Sequence, residues 1–284
     1  MLRPKNNKTK PRIKHRPFLK WAGGKFRLTD DLNRVFPKRK QCLIEPFVGA
    51  GAVFLNSHFE RYILADINPD LINLFNIVKD NVDAYIEACK PIFFAENANT
   101  ADYYYAQRDA FNQSSEPFER SVLFLYLNRF GFNGLCRYNS KNEFNVPFGA
   151  YKTHYFPEDE LRYFAHKSQS AVFLCADFQQ TFELADKHSV IYCDPPYAPL
   201  PQDTNFTGYA GNAFGLEHQK NLAECAKKAQ KEKQISVVIS NHDTKFTREI
   251  YKGAKFKRVK VQRSISQSSE KRVKVKELIA IFKG

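Results

Sequence analysis

Cys42-Leu43-Ile44-Glu45-Pro46-Phe47-Val48-Gly49-Ala50-Gly51 is the stretch that decides the fold. The apolar run from Gln41 to Phe47 predicts a buried strand ending in glycines, and Ala52 to Asn56 predicts the start of a helix. Arg61 to Asp66, with Tyr62-Ile63-Leu64-Ala65 at its centre, predicts a second strand. Pro69 to Asp80 carries helical spacing through Leu71, Ile72, Leu74, Phe75 and Val78. This strand–helix–strand–helix order predicts an α/β protein with a parallel sheet. Further strands are expected at Ala171–Cys175, Val190–Cys193 and Ile235–Ser240, with a helix over Leu216–Glu232. The end of the chain predicts an antiparallel hairpin, roughly 256–265 and 273–282, joined by a polar loop at Gln267–Lys271. Residues 81–165 differ: helical to about Arg129, then loop-like and rich in Asn, Gly, Phe and Tyr to about Phe156. They divide the chain into a basic tail expected to be disordered (1–16), a main domain (17–80 with 166–284) and a smaller inserted domain (81–165).

The 284 residues are 43% hydrophobic and include 26 Phe and 14 Tyr, which suits a folded chain and excludes a disordered one. No apolar run approaches the ~18 residues of a membrane span. The basic N-terminus is not followed by the apolar stretch of a secretory signal. The six cysteines contain no Cys-x-x-Cys pair, so no structural zinc is expected, and they read as reduced thiols of a cytosolic protein. Of the net +14, residues 1–20 contribute +8 and residues 245–284 contribute +10, leaving the middle near −4. The two basic ends suit a polyanionic partner, although solvated surface charge gives the same count.

Asp194-Pro195-Pro196-Tyr197 follows the apolar strand Val190-Ile191-Tyr192-Cys193. It sets a carboxylate at the carboxyl end of a parallel strand, where ligands bind in open α/β sheets. The two prolines stiffen the turn and leave carbonyl acceptors without competing N–H donors. That arrangement suits an aromatic amine such as N6 of adenine, a poor nucleophile because its lone pair is delocalised into the ring. Asp194 and the Pro195 carbonyl would accept its two hydrogens and stabilise developing positive charge, while Tyr197 stacks on the base. In the turn from Glu45 through Phe47 to Gly51, Gly49 and Gly51 permit close backbone approach to a ligand. Phe54 stands three positions after Gly51, where a dinucleotide fingerprint needs Gly or Ala, so a cofactor without a pyrophosphate is favoured. Asp66, fifteen residues after Gly51, is placed to accept from ribose hydroxyls or to act as a turn residue before Asn68-Pro69. Asp177 is a similar candidate for the cofactor's adenine amine. Phe18-Leu19-Lys20-Trp21-Ala22-Gly23-Gly24-Lys25 suggests a tight turn against a ligand, with Lys25 facing a carboxylate such as that of methionine.

Together, in this order, these motifs resemble the Dam-type family of DNA adenine methyltransferases, from about Pro17 to Phe282. The matching stretches are Phe18–Lys25, Glu45–Phe54, Ala65–Asn68, Leu125–Phe148, Tyr192–Pro199 and Ser240–Asp243. The resemblance implies a Rossmann-like S-adenosylmethionine-dependent methyltransferase sheet and a short double-stranded target, typically GATC. It also implies Trp21, Lys25, Asp66 and Asp194 as cofactor contacts. The segment Leu127 to Asn139 becomes the DNA reader. Arg137 suits a guanine edge, Asn133 or Asn139 an adenine, and Phe132 or Leu135 a wedge behind a flipped-out base. Arg129 lies in the same basic, aromatic run, and Lys20 is expected to reach the duplex. Phe132 stands where the family often carries tyrosine, so stacking is kept and a hydroxyl is lost. Cys193 precedes the prolines and reads as core, so direct displacement is expected rather than a covalent intermediate. The expected partner is double-stranded DNA, with no metal, no membrane, a monomeric state and a bacterial or phage-encoded, cytoplasmic, nucleoid-associated setting. Cytosine N4 or RNA adenine as acceptor, a non-catalytic DNA binder and an NAD-dependent enzyme remain as alternatives.

Overall fold

The computed structural model describes residues 13–198, 214–262 and 274–284. Five strands, β1 (Cys42–Glu45), β2 (Arg61–Asp66), β3 (Ala171–Cys175), β4 (Ser189–Cys193) and β5 (Ser236–His242), pair in parallel. The hairpin strands β6 (Lys255–Gln262) and β7 (Lys274–Phe282) complete a seven-stranded sheet of order β3-β2-β1-β4-β5-β7-β6, with β7 antiparallel to both its neighbours. The order reverses between β1 and β4. Crossovers on either side of such a switch point leave a crevice at the carboxyl ends of the two strands. Glu45 ends β1, and Asp194 follows β4, so the two motifs open into that crevice.

Alternating side chains of the central strands feed two cores. On one face, Leu43 of β1 and Val190 and Tyr192 of β4 pack with α1 (Thr29–Val35), α2 (Ala52–Asn56), α3 (Pro69–Asp80) and α7 (Glu158–Ser168). The helices α4 (Val82–Phe93), α5 (Ala101–Gln113) and α6 (Pro117–Phe130) join the same core, and α6 is buried without a break from Ser121 to Asn128. On the other face, Cys42, Ile44, Ile191 and Cys193 pack with α8 (Phe178–Glu183), α9 (Leu216–Lys233) and Tyr251, which follows α10 (Lys245–Ile250).

The strand expected over 41–47 stops at Glu45, because Pro46 has no N–H for the ladder and the chain turns through Phe47 to Gly51. The six- and seven-residue helices α1, α8 and α10 add to the expected elements, since two turns or fewer show little periodicity in sequence. The expected boundary at 165/166 falls inside α7. Lys14 and His15 lie against the body: Lys14 pairs with Asp30 at 2.6 Å, and His15 stacks on Tyr163 at 3.4 Å. The expected tail over 1–12 and the hairpin tip at 263–273 lie outside the described residues.

Candidate active site

Asp194 directly follows the last residue of β4 and opens the proline turn, and its side chain is 20% exposed. Lys25 Nζ lies 2.9 Å from Asp194 Oδ1 and donates to the Gly23 carbonyl at 2.5 Å. The Lys25–Asp194 contact is an ion pair without hydrogen-bond alignment, so Oδ1 keeps no aligned donor among the described residues. Burial pushes the Asp194 carboxyl up to about 6 against the opposing pull of Lys25. Lys25 also sits 4.7 Å over the Tyr197 ring. The Tyr197 hydroxyl donates to Glu277 Oε2 at 3.0 Å, and His242 packs edge-on against its ring.

A buried amide network holds this turn. Gln219 Nε2 donates to the Pro196 carbonyl at 2.7 Å, and Asn241 Oδ1 accepts from the Ala198 N–H at 3.1 Å. Asn241 Nδ2 in turn donates to Gln219 Oε1 at 2.9 Å and to the Tyr251 hydroxyl at 3.0 Å. Among the described residues no hydrogen bond ends on the Pro195 carbonyl. Gln219 and Glu277 are site residues that the sequence motifs do not single out, and Asn241 lies in the matching stretch Ser240–Asp243 without a role given to it there. Gln219 carries a signal nonetheless: it shares the spacing of the buried residues Leu222, Ala223 and Ala226, a polar side chain on an apolar stripe.

Glu45 faces the same crevice from β1. Burial, then the neighbouring Asp194 charge, hold its carboxyl well above the ordinary range, and its Oε1 has no hydrogen-bond partner among the described residues. Beyond it Gly49 adopts φ +48, and a Cβ there would stand 2.8 Å from Trp21 Nε1, so only glycine lets the indole lie so near the turn. The Gly49 N–H donates to Asp66 Oδ2 at 3.2 Å, while Asp66 Oδ1 accepts from the Asn68 N–H at 3.1 Å. Burial raises the Asp66 carboxyl, with these N–H groups opposing the shift. Phe47 stacks on Phe178. Asp177 is exposed, and its Oδ1 accepts from the Gln180 N–H at 3.0 Å in the capping box of α8.

The segment after α6 lies beside the Lys20 loop. The Lys20 N–H donates to Asn128 Oδ1 at 2.8 Å, and its ammonium donates to the Arg129 carbonyl at 2.7 Å while lying over the Tyr151 ring. Burial, then Arg129, lowers the Lys20 ammonium to about 8. Arg129 itself is largely enclosed, its guanidinium over the Tyr155 ring. Phe132 is 44% exposed, whereas Leu135 is half-buried against the main core. Asn133 is exposed in a left-handed conformation, φ +55. Arg137 is exposed and donates to Asn145 Oδ1 at 2.7 Å. Asn139 is engaged locally, its Oδ1 accepting from the Lys141 and Glu143 N–H groups and its Nδ2 donating to Glu143.

A sheet of this order, with a glycine turn on one central strand and a carboxylate–proline turn on the next, defines a Rossmann-like methyltransferase. The particular family follows from comparison. Residues 21–265 match the family described as D12 class N6 adenine-specific DNA methyltransferase, and the chain belongs to that family. It is 83% identical over 282 residues to a protein of Haemophilus influenzae named DNA adenine methylase, covering 99% of each chain. It is 57% identical over 270 residues to the DNA adenine methylase of Escherichia coli K12, covering 95% of this chain and 96% of the relative. The DNA adenine methylase of Vibrio cholerae O395 is 57% identical over 269 residues, with the same coverage. The chain is a DNA adenine methyltransferase acting at N6. That closes the cytosine, RNA, NAD and non-catalytic alternatives. No helix among the described residues is long and apolar enough to cross a membrane.

Proposed function

We propose that this enzyme takes its methyl group from S-adenosylmethionine and acts on double-stranded DNA, within GATC, on an adenine flipped out of the stack. The observation that carries this reading is the Asp194 carboxylate, paired with Lys25, beside a Pro195 carbonyl to which no described residue donates, on a turn held by Gln219, Asn241 and Glu277. The donor set fits the cofactor. Asp66 and Asp177 suit ribose hydroxyls and an adenine amine, Glu45 and Lys25 suit an amino acid's ammonium and carboxylate, and Trp21, Phe47 and Gly49 shape the floor. Bound there, the cofactor supplies a sulfonium methyl that needs no further activation.

The chain's own residues act on the amine. Ionised Asp194 and the Pro195 carbonyl accept the two N6 hydrogens, favouring a pyramidal nitrogen whose lone pair is available. Lys25 favours the ionised carboxylate, and Tyr197, braced by Glu277, stacks on the base. After transfer Asp194 takes the N6 proton, a role suited to a carboxyl near 6. Residues 81–165 serve as the DNA-recognition domain. Exposed Phe132 fills the gap left by the flipped base, with Leu135 behind it. Arg137 and Asn133 meet base edges, Asn139 is released from its turn to join them, and Lys20 and Arg129 meet the duplex. The enzyme works as a cytoplasmic monomer.

The test is methyl transfer from labelled S-adenosylmethionine to a duplex with one GATC, beside a duplex carrying GTTC on both strands. Label recovered as N6-methyladenine from the first alone is the expected result. Equal label in both duplexes would overturn GATC, and no label in either would overturn the donor and target together.

A further inference from the structure

The end of β2 and the cap of α3 hold the recognition segment by two side chains, and the register of that grip aims Arg137. Asn68 caps α3, its Oδ1 accepting from the Asp70 and Leu71 N–H groups. Its Nδ2 donates to Cys136 Sγ at 3.3 Å, and its own N–H donates to Asp66 Oδ1. Two residues on, Asp70 accepts from the Tyr138 hydroxyl at 2.6 Å. The Asp70 carboxylate is 11% exposed and is held bidentately by Arg120 at 2.9 and 3.0 Å. The remaining Arg120 donor is satisfied by the Phe111 and Ser114 carbonyls, so Asp70 has a fixed orientation.

The spacing gives this grip a consequence. Cys136 and Tyr138 alternate, and in extended chain alternate side chains share a face. Tyr138 is bridged antiparallel to Phe144, which keeps the segment extended there. With 136 and 138 turned toward the cap of α3, Arg137 between them is turned outward, and it is exposed. A slip of one residue would bury the arginine and expose the tyrosine.

We propose that Asp70 is a positioning residue for sequence discrimination: through the Tyr138 hydroxyl it sets the register in which Arg137 is presented to DNA, and through the shared cap with Asn68 it ties that register to the cofactor-side carboxylate Asp66. This rests on the reading of 127–139 as the DNA reader. Neither Asp70 nor Tyr138 touches the reacting atoms.

Tyr138→Phe is the clean test, because it removes one hydroxyl and leaves Asp70 paired with Arg120. The measurement is kcat/KM on a GATC duplex divided by that on duplexes changed at one base pair, with Arg137→Ala assayed alongside. Losing a hydrogen bond to a charged group predicts about a tenfold fall in that ratio, with kcat at saturating DNA within about twofold of the parent. Equilibrium binding of S-adenosylmethionine should be unchanged. If Arg137→Ala relaxes discrimination and Tyr138→Phe does not, the positioning role is overturned while the reading of the segment stands. If Arg137→Ala leaves discrimination intact, that reading fails and the inference with it. Asp70→Asn is the second variant, and a loss of melting temperature with an unchanged ratio would reduce Asp70 to a structural anchor.

Discussion

At Asp194 two forces oppose: burial favours the neutral acid and Lys25 favours the carboxylate, and burial wins, to about 6. The proposed acceptor role needs the ionised form, so protonation removes activity. The expected profile of log kcat/KM, which reports the free enzyme, therefore falls with unit slope below about pH 6 and is level above it. Asp194→Ala should nearly abolish turnover and leave duplex binding intact; retained turnover would refute the role. The carboxylates Glu45, Asp66 and Asp194 are all legible in the sequence, each at the end of an apolar run. Their partners are not. From sequence Lys25 waits for a ligand's carboxylate, yet in the fold it lies on Asp194. From sequence Asp177 is a candidate for the cofactor's adenine amine, and the fold adds that its Oδ1 caps α8.

At the scale of elements, α9 and β5 share the apolar core of one sheet face, and amides join the proline turn to both. Gln219 links the Pro196 carbonyl to Asn241, and Asn241 links the Ala198 N–H to Tyr251. Such a network is rigid when every member is satisfied and costly when one is missing. Gln219→Leu keeps the volume and removes three bonds, to the Pro196 carbonyl, Asn241 and the Tyr251 hydroxyl. It should destabilise the fold by about 2 kcal/mol or more, because buried polar groups are left unpaired. It should also lower kcat more than KM for DNA, since the turn carrying Asp194 loses its brace. Urea unfolding and steady-state kinetics check the two effects, and an unchanged kcat would show that the prolines alone hold the turn. The longer elements are readable because their apolar faces repeat. The short helices α1, α8 and α10 are not, and neither is the end of β1, decided by Pro46.

At the scale of the molecule, the +14 is carried by the two ends, and the hairpin end is built onto the sheet as β6 and β7. Residues 1–12 hold five of the basic residues. Their removal should weaken non-specific duplex binding and flatten the plot of log K against log salt, by about 0.9 for each phosphate that is no longer neutralised. Binding measured between low and moderate salt checks this, and an unchanged slope would place that segment away from DNA. Truncation should stop at residue 12, because Lys14 and His15 are bound to Asp30, Asn56 and Tyr163.

By itself the sequence determined the parallel strands, the carboxylates at their carboxyl ends, the glycine turn and the aromatic, basic composition of residues 127–139. These depend on periodicity and turn chemistry, which act over a few neighbouring residues. Only the tertiary structure decided that β1 lies beside β4, so that Glu45 and Asp194 share a crevice, and that Glu277, Gln219 and Asn241 brace the turn between them. It also decided that Asp70 meets Tyr138 and that Asn139 is engaged in its own turn. The reason is physical: a buried polar group must find a partner wherever strand order and helix packing bring one, and that adjacency is a property of the assembled sheet rather than of local sequence.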